Sequence, residues 1–410
     1  MRVFISFFLL GLLGGTSLSF AQDPARTLQQ LRVDVVYLAS DLLEGRETGK
    51  AGEALAAQYL STRFEDLGLT AKGSQGWLQA FEARVSNNPH ASESEKETRT
   101  GHNVIGFLDN GAKQTVVIGA HYDHLGMGHF GSRYTGEPAI HNGADDNASG
   151  VAVMLQVAEA LVASPAKNNN YLFIGFSGEE MGLYGSKHFV ANPTVELESI
   201  NYLLNLDMVG RLNDEGRLAI SGTGTSPIWK EPLQAVAGEK LTIKTSDSGI
   251  GPSDHTSFYV KDIPVLHFFS GQHTDYHKPI DDSELINYEG MYEIGTYIVR
   301  LIEALDDDGE LEFTKTKDES QGTRTRFKVT LGVMPDYVSD GNGMRIDAVL
   351  DDRPAKKAGL EDGDVIIKIG DLDINDIQDY MKALGQYEVG DKTTVVVKRG
   401  DKEVKKKVTF

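Results

Sequence analysis

The sequence predicts an α/β fold with a mainly parallel mixed sheet flanked by helices, followed by a small β-rich domain. Apolar runs typical of buried strands alternate with helical stretches, which is the pattern of parallel strands joined by helices. A charged break at Asp306-Asp307-Asp308-Gly309 then precedes a block of short β-like runs. The four apolar runs are residues 115–118, 171–176, 202–206 and 264–269.

Helical spacing of apolar residues predicts the helices. Residues 24–69 are predicted to be helical, and the apolar spacing is clearest in residues 51–67, before Gly68 ends the run. Residues 150–162 and 182–191 are predicted to be helices that connect the strands. The strands themselves are apolar almost throughout, which is typical of a sheet that is buried on both faces.

The length of 410 residues predicts two domains. An apolar run follows Arg2 and leads to Ser19-Phe20-Ala21, which is typical of a signal peptide. The run is shorter than the ~20 residues of a spanning helix, so we expect an exported protein, periplasmic or secreted, with no stable membrane span after signal removal. The predicted units are a signal peptide at 1–21, domains at 22–305 and 323–410, and a solvated linker at 306–322.

Charge and cysteine content exclude several classes of function. The chain has 40 basic and 60 acidic residues, and its formal charge of -20 argues against a nucleic-acid partner. It has no cysteine, which excludes disulfides, a thiol nucleophile and thiolate zinc sites. Histidine and carboxylate side chains are therefore the predicted ligands of any divalent ion.

Potential metal ligands follow the apolar strands at once. The carboxyl ends of strands in an open α/β sheet form a common ligand site, so these residues are expected to converge. Carboxylates crowded in this way need a cation to stay ionised, and a set of His, Asp and Glu suits zinc. One carboxylate that bridges two ions would complete a two-metal site. The clusters are His121-Tyr122-Asp123-His124, Asp145-Asp146, Glu179-Glu180, Asp207 and Asp275-Tyr276-His277.

Five motifs in these clusters closely resemble the M28 zinc aminopeptidases. The resemblance runs in order over most of residues 33–304 and implies the zinc aminopeptidase, phosphorylase/hydrolase-like fold. It also implies two Zn²⁺ ions and peptide or protein N-termini as substrates. The motifs are GAHYDHLG (119–126), GADDNASG (143–150), FSGEEMGLYGS (176–186), NLDMVG (205–210) and YHKPIDD (276–282).

The resemblance assigns a role to each ligand. It implies that Asp146 bridges the two ions, that Glu180 and His277 complete one of them, and that His121 and Asp207 complete the other. Glu179 resembles the general base that takes a proton from a metal-bound water. Tyr276 resembles a tyrosine that hydrogen-bonds the developing oxyanion, and the peptide bond after Asp146 is expected to be cis.

Residues around the ligands receive weaker assignments. Asp123 resembles an acid that orients the imidazole of His121, and Asp281 is expected to serve His277 in the same way. The segment Ser253-Asp254-His255 is interpreted as structural or pocket-lining, because adjacent residues do not form a catalytic triad. The remaining residues, interpreted as a neighbour of the bridge or as loop and rim positions, are Asp145, His124, His129 and His141.

The C-terminal block resembles a bacterial PDZ domain over nearly all of residues 323–410. The marker is the stretch from Gly359 to Asp364, and the Leu331-Gly332-Val333 segment matches the carboxylate-binding loop. This loop is predicted to bind a C-terminal peptide, which would add a strand to the sheet edge. The alternative is an intramolecular contact with the neighbouring domain.

The function predicted from this resemblance is an exported zinc-dependent aminopeptidase that uses Glu179 as its base. Two alternatives stay open. One is a single-zinc transferase like the glutaminyl cyclases, and the other is a non-catalytic envelope binding protein that carries a PDZ domain. The complete set of five ligands favours the peptidase over both alternatives.

Overall fold

The computed structural model of the protein describes residues 23–85, 97–316, 329–335, 343–349, 353–375, 377–400 and 402–410. The predicted signal peptide at residues 1–21 lies outside this part of the chain. Across the described residues, no helix combines the length and the apolar character that crossing a membrane requires.

The N-terminal domain is built from nine strands and seven helices within the described residues. The strands are β1 (Thr70–Ala71), β2 (Leu78–Val85), β3 (Glu97–Leu108), β4 (Gln114–His121), β5 (Asn169–Phe176), β6 (Ile200–Leu206), β7 (Arg217–Ser221), β8 (Thr242–Ser246) and β9 (Val265–Phe269). The helices are α1 (Pro24–Leu38), α2 (Ala51–Asp66), α3 (Gly150–Ala163), α4 (Tyr184–Ala191), α5 (Lys230–Ala235), α6 (His255–Tyr259) and α7 (Tyr288–Leu305).

These strands form one mixed sheet with a parallel centre. The order is β1-β3-β5-β4-β6-β9-β7-β8, and β2 pairs with β3. Strands β5, β4, β6 and β9 run parallel to their neighbours, whereas β3 and β7 join them antiparallel. The four apolar runs of the sequence are therefore the four central strands, and their carboxyl ends lie at one edge.

Helices cover both faces of the central strands, which explains their continuous apolar sequence. In β4, Val116 and Ile118 belong to the core under α1, α2, α3 and α7, whereas Val117 belongs to the core on the opposite face. Tyr171 and Leu172 divide in the same way in β5. Alternate side chains thus enter two different cores, and the predicted fold class is confirmed.

Residues 306–316, predicted as the start of a solvated linker, are partly anchored to the N-terminal domain. The Asp306 carboxylate accepts hydrogen bonds from the backbone N–H groups of Lys167 and Asn168, and Leu311 is buried. Residues 307–310 are exposed, as their charge suggested, whereas the Asp306 carboxylate has backbone partners. Residues 317–322 lie outside the described residues.

The C-terminal domain has a smaller antiparallel sheet with its own core. Strand order is β10-β11-β12-β14-β15, and β13 pairs with β12. Leu331, Ile366 and Val397 are among the residues of the core. The strands are β10 (Val333–Pro335), β11 (Met344–Val349), β12 (Val365–Ile369), β13 (Leu372–Asp373), β14 (Lys392–Arg399) and β15 (Lys402–Thr409), and the helices are α8 (Pro354–Ala358) and α9 (Ile377–Leu384).

Candidate metal centre and active site

The predicted ligands meet at the carboxyl ends of three central strands. His121 is the last residue of β4 and pairs in register with Phe176, the last residue of β5. Asp207 directly follows β6, and Glu180 lies in the loop after β5. The sheet therefore brings together side chains that are far apart in sequence, as the strand-end argument predicted.

Asp146 reaches the same edge from an irregular turn, Ala144–Ser149, before α3. Asn147 ties this turn to β6, because its Nδ2 donates to Leu206 O at 2.9 Å and its Oδ1 accepts from Met208 N at 3.1 Å. Any side chain at Gly150 would overlap Asn147 and the Leu206 carbonyl, so glycine permits this close approach. The Asp146–Asn147 peptide bond is cis, as the resemblance implied.

Two clusters of ligand atoms share the carboxylate of Asp146. In cluster 1, His121 Nε2 lies 3.3 Å from Asp146 Oδ1 and 3.4 Å from Asp207 Oδ1. In cluster 2, His277 Nε2 lies 3.1 Å from Asp146 Oδ2 and 3.2 Å from Glu180 Oε2. The two oxygens of Asp146 thus face different clusters, which is the arrangement of a bridging ligand.

The donor atoms fit zinc in both clusters. Ligand atoms at zinc distances stand about 3.4 Å from one another in tetrahedral coordination, and the separations in the clusters are close to this value. The donors are imidazole nitrogens and carboxylate oxygens without a thiolate, which suits a catalytic zinc site. The residues that would hold the ions are His121, Asp207, Asp146, Glu180 and His277.

The carboxylates of Asp146 and Glu180 are held in their ionised form. Burial opposes the ionisation of Asp146, but hydrogen bonds from His121 and His277 hold its pKa well below the usual value. Burial likewise opposes the ionisation of Glu180, whereas His277 and His124 bring its pKa to about 2. Ionised carboxylates are the form that binds a cation.

Glu179 has the opposite electrostatic environment. Desolvation raises the pKa of its carboxyl group, His121 lowers it, and the nearby carboxylates of Asp207 and Glu180 raise it further, so that the net pKa lies well above the usual value. A carboxylate with a raised pKa is a stronger proton acceptor, which suits a general base. The side chain is only partly buried, so a water molecule can reach it.

Asp123 braces the Glu179 loop as well as His121. Its Oδ1 accepts from the backbone N–H of Glu179 at 3.2 Å, and its Oδ2 accepts from the Thr48 hydroxyl at 2.9 Å. His121 Nδ1 lies 3.2 Å from the backbone oxygen of Asp123 and 3.7 Å from its carboxylate. The backbone oxygen, rather than the expected carboxylate, is therefore the hydrogen-bond acceptor for this imidazole.

Asp281 does not serve His277, and that expectation is wrong. Its Oδ2 accepts from the backbone N–H groups of Asp145 at 3.0 Å and Asp146 at 3.1 Å. His277 Nδ1 instead lies 2.8 Å from Gly131 O. Asp281 thus positions the bridging acid, while a backbone carbonyl from a distant loop orients the second imidazole.

Tyr276 lies at the site but has no assigned hydrogen bond to a ligand. Its ring stacks on His277 with centroids 3.8 Å apart, and the Arg133 guanidinium lies 4.7 Å from the centroid on its π-face. Burial raises the pKa of the Tyr276 phenol, which keeps the hydroxyl protonated and able to donate. Its contact with an oxyanion stays a prediction.

Sequence reasoning missed two buried residues beside the ligands. His124, interpreted as a loop or rim residue, is 1% exposed, and its Nδ1 lies 2.7 Å from Glu180 Oε1. Arg46 is also buried and donates to the backbone oxygens of Tyr122 at 2.7 Å and Gly143 at 3.0 Å. Both residues contact segments that are distant in sequence. The one signal in the sequence was the position of His124 directly after Asp123, within the motif GAHYDHLG.

The remaining residues around the ligands differ in burial. Ser253, Asp254 and His255 are all buried, and burial raises the pKa of Asp254 to about 7. His129 is exposed, whereas His141 is buried and its Nε2 lies 2.7 Å from the Ser132 hydroxyl. Asp145 accepts from Gly210 N at 2.6 Å, and its Oδ2 lies 3.1 Å from His273 Nε2, so it braces the bridge.

The loop at Leu331 begins an edge strand of the C-terminal sheet. Strand β10 pairs only with β11 among the described residues, starting at Val333 opposite Val349. Gly332 has a φ of 71°, and its N–H donates to the Thr330 hydroxyl at 2.9 Å. The Leu331 oxygen accepts from Ala355 N at 2.8 Å. Peptide binding by Leu331, Gly332 and Val333 stays a prediction.

Comparison with known proteins agrees with the two-domain interpretation. Residues 103–302 match the model of Peptidase family M28, and residues 315–410 match that of the PDZ domain. The chain is 30% identical over 236 residues to leupeptin-inactivating enzyme 1 of Streptomyces exfoliatus, an alignment that covers 57% of this chain and 46% of that protein. It is 29% identical over 218 residues to aminopeptidase YwaD of Bacillus subtilis, covering 50% and 44%. The chain thus spans less than half the length of these two relatives.

Two further similarities concern a second activity and the fold. Glutaminyl-peptide cyclotransferase of Bos taurus is 25% identical over 285 residues, covering 59% of this chain and 73% of that protein. The crystal structure of a zinc aminopeptidase from Bacillus subtilis superimposes with a TM-score of 0.55 at 19% identity, covering 70% of this chain and 95% of that one. Residues 103–302 therefore resemble peptidase family M28, and residues 315–410 resemble a PDZ domain.

Proposed function

We propose that this protein is an exported two-zinc aminopeptidase that removes the N-terminal residue of peptides. The observation that carries the proposal is the position of Asp146, whose two carboxylate oxygens lie in separate clusters of ligand atoms. The printed names of the aminopeptidase relatives support the activity. The signal-peptide pattern of residues 1–21 supports export.

The ions and the protein have separate tasks in this proposal. Zinc ions held by the two clusters would polarise a carbonyl oxygen and lower the pKa of water. The carboxylates and imidazoles would hold those ions, and Asp146, with one oxygen in each cluster, would be shared between them. The chain itself must then supply the proton transfers.

Glu179 is the residue that we propose as the proton carrier. Its raised pKa suits it to take a proton from the attacking water and to deliver that proton to the leaving amine. The backbone hydrogen bond from Glu179 to Asp123 and the hydroxyl of Thr48 hold this loop beside His121. Tyr276, protonated and stacked on His277, is proposed to donate to the oxyanion.

The two alternatives make different demands on the site. A single-zinc cyclotransferase needs one cluster, whereas both clusters carry a histidine and carboxylates here. A binding protein needs no general base, yet Glu179 lies partly buried in an environment that strengthens it as a base. Both observations favour the peptidase.

A substrate panel with matched variants tests the proposal. We expect the purified full-length protein to hydrolyse aminoacyl anilides, to leave N-acetylated anilides intact, and to lose activity with a chelator and regain it with zinc. Glu179→Gln is expected to lower turnover about 10²- to 10⁴-fold with metal content unchanged. Glu198→Gln, on an exposed residue, is the control.

Each alternative has its own result in this panel. Cyclisation of N-terminal glutamine peptides without anilide hydrolysis would favour the cyclotransferase. An absence of turnover across the panel, with zinc bound, would favour the binding protein. Full activity in Glu179→Gln would remove Glu179 from its proposed role.

A further inference from the structure

His124 lies beside cluster 2 without belonging to the five predicted ligands. It follows His121 by three residues, and its imidazole is buried against Glu180. Its Nδ1 lies 2.7 Å from Glu180 Oε1 and 4.0 Å from Asp146 Oδ2. The contact of this buried imidazole with a predicted ligand suggests that His124 contributes to the site.

His124, Asp146 and Glu180 lie close enough together to hold a metal ion, but the individual distances favour a hydrogen bond between His124 and Glu180. His277 Nε2 lies 3.2 Å from Glu180 Oε2, near the spacing of two atoms bound to one zinc ion. The 2.7 Å between His124 and Glu180 Oε1 is shorter than that spacing and is typical of a charge-assisted hydrogen bond. Glu180 thus presents one oxygen to His277 and the other oxygen to His124.

The surroundings of the ring determine which nitrogen carries the proton. Among the described residues, His124 Nε2 has no hydrogen-bond partner and is buried. A proton on that nitrogen would leave a buried donor unsatisfied, which costs about 1–3 kcal/mol. A hydrogen on Nδ1 instead points to Glu180 Oε1 and forms the 2.7 Å hydrogen bond.

Contacts with Arg46 and Gly143 also fix the position of the His124 ring. The backbone N–H of His124 donates to Arg46 O at 3.2 Å. Any side chain at Gly143 would overlap the His124 ring, so the glycine makes room for it. Arg46 in turn donates to the Gly143 oxygen. These contacts fix the imidazole relative to the turn that carries Asp146.

We propose that His124 is a positioning residue that donates its Nδ1–H to Glu180 Oε1 and so leaves only Oε2 for the ion of cluster 2. This inference rests on the proposed metal-dependent function. A carboxylate held through one oxygen cannot rotate to bind the ion with both, which keeps a coordination position free for substrate or water. His124 therefore acts on cluster 2 and leaves cluster 1 unaffected.

Zinc titration of the full-length protein tests this role without relying on activity. Binding of each ion is measured by calorimetry and by competition with a chelator, starting from metal-free protein. We expect His124→Ala to weaken one of the two ions about 10- to 100-fold and the other less than about threefold. His124→Asn, whose amide nitrogen occupies the place of Nδ1, is expected to restore affinity to within about threefold of the original protein.

Two controls and three contrary results complete the test. His129→Ala, on an exposed residue of the same region, should leave both ions unchanged, and circular dichroism of the metal-free variants checks folding. Unchanged affinity in a folded His124→Ala protein that still hydrolyses peptides would overturn the inference alone. Equal losses in the Ala and Asn variants would make His124 a direct ligand and overturn it too. An original protein that binds no zinc would overturn the proposed function with it.

Discussion

Clusters 1 and 2 hold similar ligands but fix them by different means. In cluster 1, His121 ends β4 and its Nδ1 has a partner two residues away, the backbone oxygen of Asp123. In cluster 2, His277 Nδ1 contacts Gly131 O, 146 residues away in sequence. The Glu180 carboxylate contacts His124 Nδ1, 56 residues away. The sheet positions the first cluster, whereas contacts between loops position the second.

This difference extends to exposure and backbone conformation. The side chain of His121 is 2% exposed, and that of His277 is 13% exposed. His277 also has a φ of 56°, a left-handed conformation that its loop must maintain. Cluster 2 therefore depends on more parts of the chain, and we expect its ion to be the more sensitive of the two to substitutions outside the ligands.

The largest expected effect comes from Asp146, the one ligand that both clusters share. Asp146→Ala removes an oxygen from each cluster, so we expect bound zinc to fall from two ions to none and hydrolysis to fall below detection. Metal analysis after dialysis against micromolar zinc provides the measurement. Retention of one tightly bound ion would show that the clusters are not linked through Asp146.

A matched pair of substitutions separates the clusters. Asp207→Asn is expected to release the ion of cluster 1 and to keep that of cluster 2, and Glu180→Gln is expected to do the reverse. Each amide replaces a charged ligand by a neutral one, which weakens binding of a divalent cation. Zinc content and calorimetry of both proteins, beside the Glu198→Gln control, measure the outcome. Loss of both ions in either variant contradicts the separation.

The sequence predicted cluster 1 more completely than cluster 2. The strands β4 and β6 are continuous apolar runs, and their end residues His121 and Asp207 could be placed at one edge from topology alone. The strand-end argument also included Glu180 and His277, but both lie in loops beyond the ends of β5 and β9, so topology placed them less closely. Their supports, His124 and Gly131, are brought in by loops whose paths no local pattern determines.

The same limit explains the errors elsewhere in the chain. Asp281 was expected to serve His277 because it follows four residues later, but it accepts from the backbone of Asp145 and Asp146. The acidic segment at Asp306 suggested a linker, yet its carboxylate has backbone partners at Lys167 and Asn168. A carboxylate near a ligand in sequence can find its partner anywhere in space, so spacing alone could not identify these contacts.

The smallest expected effect tests whether the loop around Gly131 supports cluster 2 alone. The Ser132 hydroxyl lies 2.7 Å from His141 Nε2 and accepts from Tyr134 N at 3.0 Å, which braces the loop behind the Gly131 oxygen. Ser132→Ala removes interactions worth about 1 kcal/mol, so we expect zinc affinity at cluster 2 to fall about fivefold. Affinity at cluster 1 should not change. Chelator competition on the variant and on Ser132→Thr, which retains a hydroxyl, measures both sites, and an equal loss at the two clusters would show that the loop supports the whole centre.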